Sequence, residues 1–366
     1  MNRYVIKTDD VIHNINLIKS KTDCEIIGVI KGNGYGFDME YMASLLKTQG
    51  IKTFAVTEIS DALKLREHAL IDDDILLLRS SALESEANNI VKADLTATIG
   101  SIKSAQALDN AAKKQNKRVK AHIKIDTGMC RYGFTEEETQ QAAEMLKQYD
   151  NIDFVGIYTH FSSAFTQIAT TEKQLASFKK AVKTFTDNGF DFKLIHCANS
   201  PAFFNLTQKV TESMTAVRIG SAFTGRVVTK SKSGLKKVGF IESDVLETKM
   251  IKKGQAVGYN GAFVAKHDTK LAIIPVGHFD GFGVEKAQDT LNFKTTIHSI
   301  LSMLKSLLTK RQLFVTINDK KYPVAGHIGL SHTAVDVTGS NVKEGDIAKF
   351  DISPLFVNPQ MKREYR

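Results

Sequence analysis

The strongest constraint in this sequence is a rhythm. Short apolar, β-like runs recur at 26–30, 53–57, 75–78, 95–99, 119–125, 154–160, 193–197 and 214–218. Amphipathic segments separate most of them, at 39–49, 58–69, 83–91, 101–115, 136–149 and 172–188. A run such as Ile26, Ile27, Val29 and Ile30 has the size and composition of a strand buried on both faces. Strand alternating with helix at this spacing implies parallel strands joined by right-handed crossovers. Eight such runs before residue 219 fit a closed (β/α)8 barrel better than the competing open, doubly wound sheet. The last link, 199–213, is the weakest as a helix. Upstream, Asp9 or Asp10 can cap a helix through Val11, Ile15 and Ile18.

After Gly220 the rhythm stops. The stretch TKSKSGLKKVGF (229–240) is polar, basic and punctuated by glycine, and reads as a boundary. It divides the chain into a barrel over 1–230 and a β-rich domain over 231–366, which a first strand at 3–8 can join. A length of 366 residues accommodates two cores. In the second domain alternating runs (FIESDVLETKMI, LAIIPVGHF, LFVTINDKKYPVAGHI, DIAKFDI) are separated by turns at Asn318-Asp319 and Gly345-Asp346. One helix interrupts them at 295–310, with Ile297, Ile300, Leu301, Leu304 and Leu308 on one stripe suited to packing.

Composition narrows the function classes. The apolar (42%) and charged (24%) fractions are those of a soluble globular protein, and no segment is apolar for long enough to span a bilayer. Cys24, Cys130 and Cys197 are scattered and odd in number, without metal-ligand spacing. Together with an N-terminus that lacks a secretory h-region, they point to a reducing, cytoplasmic setting with no disulfide frame and no metal site. The net charge of +9 is spread over helix faces without an aromatic-basic groove, so no nucleic-acid partner is expected.

In a barrel of this kind, sites form where the strands end at their C-terminal rim. After the first strand stands Lys31, followed by Gly32, Gly34 and Gly36 with Asn33 and Tyr35 between them. An amine delivered by a buried strand into such a loop can be desolvated, which lowers its pKa and makes it nucleophilic. The fifth strand leads into KIDTGMCRYGF, with Lys124, Asp126 and Arg131; the sixth ends at His160. The seventh ends in HCANSPA, with His196, Asn199 and Ser200, and the eighth in VRIGSAFTG, with Arg218, Gly220 and Ser221. Each has a bland reading alone, as a solvated lysine, a structural histidine or an ion-pair arginine. Together they suit pyridoxal 5′-phosphate (PLP) catalysis. The lysine would bind the cofactor, Ser200 and the amides of Gly220 and Ser221 would hold its phosphate, and a side chain must face the pyridine nitrogen. If that side chain is Arg218, the ring nitrogen stays unprotonated, because arginine donates hydrogen bonds without yielding its proton. The α-carbanion is then less delocalised, and transamination is held down.

These motifs also carry a family resemblance. VIKGNGYG resembles the lysine motif of the alanine racemase family, with glycines where alanines are usual. KIDTGMCRYGF, GIYTHF, HCANSPA and VRIGSAFTG resemble its later motifs in the same order, GQAVGYNGAF its tyrosine motif, and PVGHFDGFG one of its glycine turns. The resemblance implies a barrel followed by a β domain, working as a head-to-tail homodimer whose sites are completed by the partner. It implies that Lys31 is the Schiff-base lysine and one of two acid/bases, with Tyr259 of the other subunit as the second. Tyr35, Ser200, Gly220 and Ser221 would contact the phosphate. His160 would link Tyr259 to Arg218, and Arg131 would face the cofactor phenolate and the substrate carboxylate. Lys124 matches a lysine that is carbamylated in some members. Physics supports two bases independently: inverting a Cα centre needs proton removal on one face and delivery on the other. Lysine and tyrosine, with reference pKa values near about 10, must both be shifted to serve.

The departures concern the substrate. His278 stands where the family usually has a tyrosine, and its usual Arg-x-Cys-Met-Asp-Gln run appears as His327, Ile328, Gly329, Leu330, Ser331 and His332. A tyrosine expected near the phosphate and the substrate entrance aligns with Pro354. The expected activity is an amino-acid racemase acting on alanine, with serine or a broader set as the alternative that the altered wall around Leu330 allows. Two further readings compete. A PLP decarboxylase of the same plan should carry a catalytic thiol in its second domain, and no cysteine follows Cys197. A non-catalytic PLP protein resembling this barrel usually lacks the β domain.

Overall fold

Each of the eight apolar runs forms a strand. The computed structural model describes residues 2–69, 72–164, 167–229, 232–285 and 312–366. It divides into two units, Thr8–Val238 and Met1–Lys7 with Gly239–Arg366. After β1 (Arg3–Ile6) come β2 (Glu25–Val29), β3 (Thr53–Val56), β4 (Asp74–Ser80), β5 (Thr96–Ile99), β6 (Val119–Lys124), β7 (Ile152–Tyr158), β8 (Leu194–His196) and β9 (Ala216–Ile219). Strands β2 to β9 close into a barrel in sequence order, with Ile27 of β2 opposite Arg218 of β9 at the closure. Every residue of β3, β5 and β9 is buried, which is why these strands read as continuous apolar runs rather than as an alternation.

Helices follow the strands at Met39–Thr48, Ile59–His68, Glu84–Lys92, Ile102–Lys114, Thr139–Leu146 and Ile168–Asp187. The helix Ile102–Lys114 shows why they form: Ala105, Leu108, Ala111 and Ala112 make a buried stripe, and Ser101 and Ser104 close a reciprocal cap at its start. The link that reads weakest in the sequence is also a helix, Ser200–Thr211. Asn199 caps it by accepting from the Ala202 N–H at 3.0 Å, and Pro201 occupies its first turn. Leu206 breaks the helical geometry midway (φ −138°, ψ 29°), so its apolar residues fall out of helical phase.

The polar segment before Val238 is tied to the barrel. Buried Asn14 accepts from the Lys236 N–H at 2.8 Å and donates to the Lys236 carbonyl at 2.8 Å and the Phe223 carbonyl at 3.1 Å. A Cβ on Gly225 (φ 67°) would lie 1.7 Å from the Lys236 carbonyl oxygen, so only glycine permits this approach.

The second unit contains β10 (Phe240–Asp244), β11 (Glu247–Ile251), β12 (Ala256–Val257), β13 (Phe263–Val264), β14 (Thr269–Ile274), β15 (Phe314–Ile317), β16 (Lys320–Pro323), β17 (Thr333–Asp336), β18 (Ile347–Phe350) and β19 (Lys362–Tyr365). A six-stranded sheet runs β16-β15-β18-β10-β1-β19, beside a three-stranded sheet β11-β14-β17 and the hairpin β12-β13. The N-terminal strand β1 is thus sandwiched between β10 and β19. Asn318 and Asp319 both have positive φ (50° and 61°), the primed turn that matches the twist of the β15–β16 hairpin. The helix expected at 295–310 lies outside the described residues.

Candidate active site

The end of β2 turns the wrong way for an ordinary helix. Gly32 (φ 61°, ψ 48°), Asn33 (51°, 53°) and Gly34 (64°, 36°) are all left-handed, and Tyr35 (φ 56°) and Gly36 (φ 86°) continue with positive φ. Left-handed backbone costs an L-residue about 1–2 kcal/mol, and the three glycines avoid that cost. Asn33 is held by its own side chain, whose Oδ1 accepts from the Met39 N–H at 3.0 Å. This turn lays the Tyr35 ring on Gly220: a Cβ at 220 would lie 2.5 Å from the Tyr35 Oη and Cε2. At the start of the turn, burial pushes the Lys31 amine below its ordinary 10.5, and the charges of Arg131 and Arg218 push it further.

A polar cradle stands beside Tyr35. The Oγ of buried Ser200 accepts from the N–H groups of Gly220 at 3.1 Å and Ala222 at 3.3 Å, so its own proton remains to donate. Neither the Tyr35 hydroxyl nor the Ser221 N–H has a partner among the described residues. Burial pushes the Tyr35 phenol up to about 12, so it stays a donor at neutral pH. Ser200 is also the first residue of the helix Ser200–Thr211, whose positive end favours an anion. Two hydroxyls, one amide and a helix N-terminus around a position that admits no side chain fit a phosphate group.

Arg218 is buried and interlocked. Its Nη1 donates to the His196 Nδ1 at 2.7 Å and to the His196 carbonyl at 3.2 Å. Its Nη2 donates to the Thr159 carbonyl at 2.7 Å, the Cys197 carbonyl at 3.2 Å and the His160 Nδ1 at 3.3 Å. Among the described residues nothing accepts from its Nε. Because arginine only donates, the Nδ1 atoms of both histidines must present lone pairs. Burial, then the charge of Arg218, holds both imidazoles well below their ordinary 6.5, so both are neutral. His160 therefore carries its proton on Nε2.

Lys124 is 5% exposed, beneath the loop that carries Arg131. Burial drives its amine well below 10.5 and Arg218 adds to the shift, while Asp126 opposes it. Its Nζ lies 4.8 Å from the centre of the Tyr158 ring. The loop after β6 is pinned by Asp126, whose Oδ1 accepts from the N–H groups of Gly128, Met129 and Cys130 at 2.9, 2.9 and 3.1 Å. Burial would raise this carboxyl, and the three amides outweigh it and hold it below 3.8. The loop returns at Gly133 (φ 116°), where a Cβ would lie 2.8 Å from the Lys124 carbonyl oxygen. Arg131 stands on this loop, exposed, over the ring of Tyr132 at 5.8 Å.

The barrel rim thus brings together Lys31, Tyr35, Lys124, Arg131, His160, Asn199, Ser200, Arg218, Gly220 and Ser221. Tyr259 belongs to the second unit, between β12 and β13, and is 72% exposed. Leu330 is 69% exposed, on a loop whose backbone is braced: the His278 N–H donates to the Gly329 carbonyl at 3.0 Å and the Phe279 N–H to the Leu330 carbonyl at 2.9 Å. Within that unit Tyr259, His327, Leu330, Ser331 and His332 border a cavity of about 440 Å³. His278 is exposed and donates from Nδ1 to the Phe282 carbonyl at 2.9 Å, and Pro354 is buried.

Sequence reasoning missed the barrel interior beneath Arg218. His122 lies 2.9 Å from His196, and the Tyr158 ring stacks on His196 at 4.9 Å. The Tyr158 hydroxyl meets Thr98 at 2.9 Å. One signal was available: in VKAHIK, polar Lys120, His122 and Lys124 alternate with apolar Val119, Ala121 and Ile123, which puts a polar face on a strand of a closed barrel.

Comparison with known proteins follows the same division. The alanine racemase N-terminal domain model matches residues 6–227 and the alanine racemase C-terminal domain model matches residues 238–351. The chain is 28% identical over 352 residues to an alanine racemase of Borreliella burgdorferi, covering 93% of this chain and 87% of that protein. It is 29% identical over 353 residues to an amino-acid racemase of Enterococcus faecalis, covering 94% of this chain and 45% of that longer protein. Its fold is similar to that of the alanine racemase of Clostridium difficile 630 (TM-score 0.83, 22% identity, 100% of this chain and 95% of that one). It is also similar to that of the alanine racemase of Bartonella henselae with covalently bound pyridoxal phosphate (TM-score 0.80, 23% identity, 100% and 99%). With both domain models matched in order along the chain, the protein belongs to the alanine racemase family.

Proposed function

We propose that this protein is a PLP-dependent amino-acid racemase that interconverts L- and D-amino acids, working in the cytoplasm as a homodimer with shared sites. The observation that carries the reading is the Lys31 amine, held below its ordinary pKa by burial and by Arg131 and Arg218, beside a cradle that fits a phosphate. Lys31 would hold the cofactor, and Tyr35, Ser200 and the Ser221 amide its phosphate; the Gly220 amide is spent on Ser200 Oγ, so Gly220 would serve by leaving room, with Asn199 fixing the helix start beneath. When bound, the cofactor supplies a sink for the electron pair left at Cα.

The residues divide the proton work. Lys31 Nζ takes or gives the Cα proton on one face, and the partner subunit's Tyr259 does so through Oη on the other. His160 has its Nδ1 committed to Arg218, so its Nε2–H is the donor left for a phenolate oxygen. Arg131, on a loop fixed by Asp126, would meet the substrate carboxylate. Arg218 offers only its Nε–H to the ring nitrogen and cannot give up that proton, which disfavours transamination. Lys124, a buried amine whose neutral form is favoured by burial and by Arg218, would brace Arg131 as an anion if that amine added carbon dioxide and released a proton.

Alanine is the proposed substrate, and serine or a broader set is the finer alternative. Leu330, Ser331, His327 and His332 border the second-unit cavity, whose lining includes hydrogen-bonding groups for a polar side chain and no carboxylate to repel an acidic one. A panel of amino acids, each enantiomer incubated in heavy water and resolved by chiral chromatography, tests the reading. Deuterium at Cα of both enantiomers is expected for alanine. Absence of exchange with every common amino acid would sink it.

A further inference from the structure

The proposed reaction makes no direct use of His122, yet the barrel is built around its ring. His122 is 2% exposed, on the inner face of β6. A Cβ on Gly156 of β7 would fall 2.7 Å from its Cδ2 and Nε2, so β7 carries no side chain where the imidazole lies. Its Nδ1 is 2.9 Å from the Nε2 of His196, whose Nδ1 is in turn 2.7 Å from Arg218 Nη1.

Donor counting fixes every proton along this line. Arg218 has only donors, so His196 Nδ1 is bare. His196 is neutral, so its one proton sits on Nε2 and needs an acceptor. That acceptor is His122 Nδ1, which leaves the His122 proton on Nε2. Burial pushes His122 down to about 3, so it stays a neutral acceptor across the physiological range. Among the described residues His122 Nε2 has no hydrogen-bond partner. The ring borders a cavity of about 80 Å³ with Thr96, and with Thr53 and Asp74 at the N-terminal mouth of the barrel. That space has room for a water, which takes about 30 Å³ and would accept from Nε2–H. Tyr158, stacked on His196 with an interplanar angle of 6°, restrains the middle ring.

We propose that His122 is a positioning residue for Arg218: by accepting from His196 Nε2 it locks the His196 tautomer whose Nδ1 lone pair aims the guanidinium. The other tautomer would set Nδ1–H against Nη1–H, donor against donor, and Arg218 would turn. The inference rests on the reading of Arg218 as the residue facing the cofactor ring nitrogen.

The test is nitrogen NMR of the protein labelled with ¹⁵N-histidine, with and without PLP, paired with steady-state kinetics. In the wild type, His196 and His122 should each show a bare Nδ1 and a protonated Nε2. His122→Asn retains an acceptor oxygen and should keep the His196 tautomer and most of the activity. His122→Leu should release the His196 proton to Nδ1, lower kcat roughly tenfold with KM within about twofold, and raise the share of turnovers lost to transamination. A wild-type His196 protonated on Nδ1 would overturn the proposal. So would a folded His122→Leu that matches His122→Asn in tautomer and kcat. The wild-type tautomer does not depend on any variant folding. It reads out even if the protein racemises nothing, so failure of the lock and failure of the racemase reading are separable.

Discussion

The barrel rim and the second-unit loops are built on opposite principles. On the rim three polar groups are each held by several neighbours: Arg218 makes five hydrogen bonds through two nitrogens, Asp126 accepts three amides, and Ser200 accepts two. Rigid positioning of this kind suits groups that bind a cofactor and shift one another's pKa. In the second unit Tyr259 and Leu330 are displayed on braced backbone with most of their side-chain surface exposed. Phe279 (60%) and Leu355 (58%) are also exposed in that unit. The rim groups belong to one unit of one chain, whereas Tyr259 and Leu330 stand open on the other unit, where the proposed homodimer would use them.

Breaking the rim should do the most damage. Lys31→Ala is expected to abolish racemisation in both directions, by at least ~10⁴-fold, and to remove the cofactor's covalent attachment. Chiral assay and borohydride trapping check this, and a variant that still traps cofactor and turns over contradicts the assignment. Tyr259→Phe should lose roughly 10²–10⁴-fold of kcat/KM in both directions, which the equal free energies of the enantiomers tie together, while keeping its bound, coloured cofactor. Full activity both ways would show that the exposed tyrosine is no base.

Gly220→Ala tests the cradle. Its Cβ would collide with Tyr35, and overpacking of this kind costs about 1–3 kcal/mol, so PLP should bind roughly 10–100-fold more weakly. Unchanged cofactor affinity by titration would remove Tyr35 from the phosphate site. The smallest effect is electrostatic. In the cofactor-free protein the Lys31 amine should gain reactivity toward an amine reagent with a midpoint below 10.5, because burial and the two arginines favour its neutral form. Arg131→Gln removes one of those cations, so the midpoint should move toward alkaline pH. A midpoint that moves toward acid, or not at all, rules out Arg131 as a cause.

The barrel was legible because its strands are buried on both faces, so each announces itself as an apolar run, as Thr53–Val56 and Ala216–Ile219 do. The rim was legible because its groups sit at strand ends, where one sequence position maps onto one place in the fold. The helix Ser200–Thr211 was obscured by the break at Leu206. The left-handed turn was not read from the sequence: Gly32, Gly34, Gly36 and Asn33 all tolerate positive φ, but nothing in Tyr35 says that it shares it. The His122–His196–Arg218 line was invisible in one dimension. It joins three strands through the barrel interior, and only closure brings their inward faces together.

Co-expression of Lys31→Ala and Tyr259→Phe chains with different affinity tags tests the contrast between rim and loop most directly. Hybrid dimers are isolated by sequential capture and assayed against each parent homodimer. If each site joins the Lys31 of one chain to the Tyr259 of the other, one of the two hybrid sites is intact. The hybrid should then racemise alanine at roughly half the wild-type rate while both parents stay inactive. If the two residues serve the same site within one chain, every hybrid site carries a lesion. A hybrid as inactive as its parents would contradict the account.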